Sequence, residues 1–140
     1  RTIIVTYPEA LSEKVITRKV MTKNTYKISV GNNISMDSLA DTLCNFNFEH
    51  VDFVVEPGQF SIRGGIVDVF SFSNDYPYRI EFFGDEIDSI RSFNPIDQLS
   101  IEKLHDIIII PNLQDYSNEE YERETIFQFL KNKSTIWIEE

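Results

Sequence analysis

Three side chains in this 140-residue sequence have the types and spacing to recognise another molecule: Arg63, Arg79 and Phe83. An arginine presents a planar fork of five donors that can grip a carboxylate through two parallel hydrogen bonds. Arginines and aromatic rings are also the side chains most enriched where binding energy concentrates at protein interfaces. All three lie between Pro57 and Phe93, where short alternating runs are separated by Arg63-Gly64-Gly65 and by Phe83-Gly84-Asp85. A second reading of the same residues is open. The arginines could pair with Asp68, Glu81 or Asp88 on their own sheet face, with Phe83 capping a hairpin tip.

Other chemistries find less support. The acidic run Asp85-Glu86-Ile87-Asp88 lacks the twelve-residue ligand arrangement of a calcium loop and reads as a solvated hairpin. His50 and His105 have no cysteine or histidine at metal-ligand spacing. Cys44 excludes an internal disulfide framework and has no neighbouring histidine to activate it, so it reads as a small buried apolar residue on a helix. Neither a GxxxxGK[ST] phosphate loop nor a GxGxxG turn occurs, and Gly64-Gly65 is explained by a tight turn. The expectation is a chain with no catalytic residue, no metal and no cofactor.

Charge narrows the partner. The formal net charge is −10, unevenly spread. Residues 1–23 hold five basic and two acidic side chains, for +3; residues 111–140 hold three and seven, for −4. Residues 24–110 hold five basic side chains (Lys27, Arg63, Arg79, Arg91 and Lys103) against fourteen acidic ones, for −9. Such a middle section repels a phosphate backbone, which argues against direct nucleic-acid binding. No apolar run reaches the length of about 18 residues that a membrane-spanning helix needs, and no signal peptide is visible. The single cysteine fits a reducing, cytoplasmic setting. The chain opens on Arg1 and runs at once into TIIVTY, which reads as a piece of a longer protein.

The elements that must position the three residues follow from periodicity. Two-residue turns at Gly64-Gly65 and Gly84-Asp85 predict consecutive β-hairpins. In the first, Arg63 opposes Ile66, Ile62 opposes Val67 and Ser61 opposes Asp68. In the second, Phe83 opposes Glu86, Phe82 opposes Ile87 and Ile80 opposes Ser89. Alternation then gathers Phe60, Ile62, Val67, Val69, Tyr78, Ile80, Phe82 and Ile87 on core faces. It leaves Arg63, Arg79 and Phe83 off them. Ser35 is placed to cap a helix with Met36, Leu39, Ala40, Leu43 and Cys44 on one stripe. Further strands are predicted over 2–7, 26–30, 51–55, 104–110 and 135–138, with short helices over 8–15 and 118–131, a linker over 16–24 and a loop over 92–100. The fold class is α+β: an antiparallel sheet of consecutive hairpins with one main packed helix, flanked by strand and helix pieces of a neighbouring α/β unit. The expected divisions are 1–23, 24–110 and 111–140.

The segments PGQFSIRGGIVDVF and YPYRIEFFGDEIDSIRSFNPIDQLS resemble a known family, the UvrA-interaction domain shared by UvrB and the bacterial transcription-repair coupling factor, Mfd. The likeness is specific over roughly residues 50–111, and "DEIDSIRSF" with "QLSIEKL" lies nearer the coupling factor. The resemblance implies a module that docks onto UvrA, the damage-recognition ATPase of nucleotide excision repair, and recruits it to stalled transcription complexes. It implies contacts from Arg63, Arg79 and Phe83. It further implies that the parent protein is an ATP-driven DNA translocase, whose motor motifs are absent from this sequence, and that another domain of that protein can mask the docking face. A UvrB-like structural or DNA-contacting domain is the alternative.

Overall fold

The computed structural model describes residues 5–17, 22, 24–72, 74–112 and 123–130. They fall into two compact units, 1–23 with 115–140 and, separately, 24–114.

In the larger unit, a six-stranded sheet runs β3 (Glu49–His50), β4 (Gln59–Arg63), β5 (Ile66–Val69), β6 (Tyr78–Phe83), β7 (Glu86–Phe93) and β8 (Ser100–Leu104), in that spatial order. Among the described residues, only β3 and β4 pair in parallel. A separate antiparallel pair joins β2 (Tyr26–Ser29) to β9 (Asp106–Ile109). The one long helix among the described residues, α2 (Met36–Asn45), starts at Ser35, whose Oγ accepts a hydrogen bond from the Ser38 N–H at 3.2 Å. It stops where Asn47 takes a φ of 59°, a left-handed conformation that asparagine tolerates. Leu39 and Leu43 of α2, Ile28 of β2 and Ile107 and Ile109 of β9 pack on Phe60, Val67, Val69, Ile80, Ile87 and Ile90 of the sheet. Burying this apolar surface is the main force holding the unit together. The α+β class is therefore as expected.

The first hairpin has the expected register, with Ser61 opposite Asp68 and Arg63 opposite Ile66. The second follows expectation at its tip, where Phe83 opposes Glu86 and Phe82 opposes Ile87, and then shifts. Ile80 faces Ile90, not Ser89, because Asp88 is an extra residue in a β-bulge. The bulge lets both Ile87 and Ile90 reach the core and sets Ser89 opposite Glu81.

Other expectations are corrected. The strand predicted over 51–55 is absent; the strand nearest to it, Glu49–His50, lies just before that stretch. Gln59 Oε1 accepts hydrogen bonds from the N–H groups of Val55 and Glu56, both at 3.0 Å, so the backbone there serves a turn. The strand predicted over 104–110 is two strands broken at His105, one for each sheet. The loop predicted over 92–100 shortens to 94–99 because β7 continues to Phe93. Cys44 is exposed: Leu39 and Leu43 define the buried stripe of α2, and the next residue is rotated away from it.

In the smaller unit, α1 (Pro8–Ser12) carries its proline in the first turn and ends before Val15. β1 (Lys14–Ile16), which spans the end of the predicted helix and the first residue of the predicted linker, pairs antiparallel with β10 (Arg123–Thr125). A 3₁₀ turn follows at Ile126–Phe129. The α-helix predicted over 118–131 is thus absent from 123–130, where ladder pairing overrides helical periodicity. Residues 5–7 lie in no strand; the rest of the strand predicted over 2–7, and the one over 135–138, fall outside the described residues. Among the described residues, no helix is long and apolar enough to cross a membrane.

Candidate protein-docking site

Strands β4 to β7 turn one face to the core and align a row of polar side chains on the other. Ser61, Asp68, Arg79 and Arg91 stand opposite one another across four strands. At the centre is Asp68, with a side chain only 1% exposed. A buried carboxylate is costly unless it is paired and hydrogen-bonded. Asp68 is both. Arg79 Nε donates to Oδ1 at 2.7 Å and Arg79 Nη2 to Oδ2 at 2.8 Å, a two-pronged grip. Arg63 Nη2 donates to the same Oδ2 at 2.6 Å.

The two arginines are held differently. Arg79 also donates from Nη2 to Gln98 Oε1 at 2.8 Å, and its guanidinium carbon lies 4.2 Å from the ring centroid of buried Phe93. Its hydrogen bonds to Asp68 are the largest cause of a pKa raised above the ordinary guanidinium value, against the opposing effect of burial. A raised pKa stabilises the fold at every pH below the unfolded value, and the contribution is lost only in strong base. Arg63 makes one hydrogen bond to Asp68 and leaves 37% of its side chain in solvent. Its guanidinium carbon lies 4.8 Å from the ring centroid of Phe53.

Like charges opposite each other in a sheet repel, and Arg79 faces Arg91. Separate carboxylates relieve this. Arg91 pairs with Glu81, which also accepts from Ser89 Oγ at 2.6 Å. The Arg63–Asp68–Arg79 trio keeps two cations around one anion, so one positive charge is left over.

Phe83 shares the off-core face of β6 with Arg79 and Glu81, at the hairpin tip, and is 83% exposed. Its backbone is fixed from two sides. The Phe82 N–H donates to Gly65 O at 2.8 Å, which ties the tip to the turn after Arg63. Gly31 N–H donates to Ile87 O, and Ile34 N–H to Asp85 O, each at 2.8 Å. The ring is therefore exposed on a held backbone.

The structure brings Arg63 and Arg79 together on Asp68 and sets Phe83 on the same face. Pairing to Asp68, one of the two readings open from sequence, is what both arginines do. Sequence reasoning missed Gln98, Phe53 and Phe93. Phe53 and Gln98 come from irregular segments: Phe53 lies in the stretch over 51–55 where a strand was expected, and Gln98 sits at a φ of 62°. Among the described residues, no group of three His, Cys, Asp or Glu side chains could hold a metal ion.

A family model described as the UvrB interaction domain matches residues 26–116, a span that holds every residue of this site. The chain belongs to the UvrB interaction domain family. It is 51% identical over 84 residues to a transcription-repair-coupling factor of Bacillus subtilis, covering 60% of this chain and 7% of that protein. It is 31% identical over 111 residues to the factor of Escherichia coli, covering 79% and 10%. It is also 31% identical over 106 residues to the UvrABC system protein B of Thermosipho africanus, covering 76% and 16%. The chain thus spans only a small part of each of these relatives.

Proposed function

We propose that this chain is a non-catalytic docking module that binds UvrA and, within a longer coupling factor working in the cytoplasm, recruits it to stalled transcription complexes for nucleotide excision repair. The observation that carries the reading is the pairing of a surplus guanidinium charge with an exposed aromatic ring on one face of a family domain. A partner surface bearing a carboxylate beside apolar side chains would answer both features. The fourteen acidic residues of the surrounding section turn the same face away from DNA.

The test is isothermal titration calorimetry of UvrA against Phe83→Ala and Arg63→Ala, with circular dichroism as the folding control. Truncating a central hot-spot side chain commonly costs on the order of 2 kcal/mol or more of binding. Unaltered affinity in both variants would sink the reading.

A further inference from the structure

Phe53 was not among the residues that strand alternation singled out. It lies between β3 and β4 and is 61% exposed. A lone exposed ring needs no explanation. This one has the Arg63 guanidinium carbon 4.8 Å from its centroid, within the range of a cation–π contact. Arg63 therefore has Asp68 at one nitrogen and its guanidinium carbon over the Phe53 ring. Two contacts from different strands and loops fix a long side chain that is still 37% exposed. Such restraint lowers the ordering entropy that an arginine otherwise loses on binding.

We propose that Phe53 is a fourth member of the docking surface. Its ring holds Arg63 in a binding-ready pose and adds apolar contact area beside it. The occupant is a protein surface that presents a carboxylate to Arg63, flanked by apolar side chains for Phe53 and Phe83. The surplus positive charge of the Arg63–Asp68–Arg79 trio selects a carboxylate. The inference rests on the UvrA-docking reading and deepens it.

The experiment titrates UvrA by calorimetry against the unaltered chain, Phe53→Ala, Phe53→Leu, Arg63→Ala, Phe83→Ala and the Phe53→Ala/Arg63→Ala pair. Thermal unfolding serves as the folding control. The expected result is a loss of about tenfold or more in affinity for Phe53→Ala. Phe53→Leu, which keeps apolar area and removes the π face, should fall between it and the unaltered chain. The double variant should lose less than the product of the two single losses, because the residues act together. If Phe83→Ala weakens binding while Phe53→Ala does not, the inference is overturned and the docking reading stands. If the unaltered chain does not bind UvrA, both fail.

Discussion

The off-core face of the six-stranded sheet holds two regions built on opposite terms. Around Asp68, two guanidiniums, one carboxylate, Gln98 and the ring of Phe93 are joined in one network. At the rim, Phe83 and Phe53 are 83% and 61% exposed. The contrast separates the part of the face that is internally paired from the part that the proposed docking function would use. The Asp68 cluster supplies rigidity and a surplus charge, and the rim supplies uncommitted apolar area. The cluster should therefore be sensitive in folding and the rim in binding, and substitutions can test that division.

Asp68→Ala strikes the cluster hardest. It strips Arg79, whose side chain is only 14% exposed, of its carboxylate and leaves two cations facing each other. Breaking a buried pair by removing one partner typically costs about 3–5 kcal/mol. Urea unfolding should show the midpoint falling by that equivalent with the slope unchanged. A loss below about 1 kcal/mol would show that the cluster does not hold the sheet face together.

Arg79→Lys comes next. A lysine keeps the charge but cannot form the two-pronged grip or stack a plane on Phe93. The expected loss is about 1–3 kcal/mol, the cost of leaving a buried acceptor short of donors. It should be read by the same urea titration, and stability equal to that of the unaltered chain would demote the geometry of the grip to an incidental feature.

This division was only partly legible in the residues. Turn chemistry at Gly64-Gly65 fixed the first hairpin, and alternation then put Asp68 on the same face as Arg63. Both facts are local, within ten residues. The β-bulge at Asp88 was not visible, because its cause is the need to bury both Ile87 and Ile90, a tertiary demand. Cys44 went wrong for a related reason: a stripe written too wide took in a residue just past the buried edge. The helix read over 118–131 failed because Arg123–Thr125 pairs with a strand more than a hundred residues away. Phe53 and Gln98 reach the site from loops, where no period operates. Local alternation therefore put Arg63, Asp68, Arg79 and Phe83 on one face, while Phe53 and Gln98, which also contact the arginines, came from irregular segments.

Arg63 lies on the boundary between the two regions. It shares Asp68 with the cluster and is open to solvent like the rim. Arg63→Ala should cost no more than about 1 kcal/mol in stability, since Arg79 still neutralises Asp68 and Arg63 itself keeps much of its side chain in solvent. UvrA binding by calorimetry should fall much further than that. A stability loss as large as that of Arg79→Lys would place Arg63 wholly inside the cluster and erase the boundary.

Phe83→Ala should have the smallest effect on folding. Its ring is mostly in water, and the hydrogen bonds that hold the hairpin tip run through the backbone of Phe82, Gly65, Gly31 and Ile34, which the substitution leaves in place. Surface substitutions away from packing and polar networks usually stay within about 0.5 kcal/mol, and the urea midpoint should move no further. An exposed ring that contributes so little to folding yet controls binding would complete the contrast with Asp68. If Phe83→Ala instead unfolds the chain by more than about 1.5 kcal/mol, the tip is part of the scaffold, and its exposure would no longer mark a surface kept free for a partner.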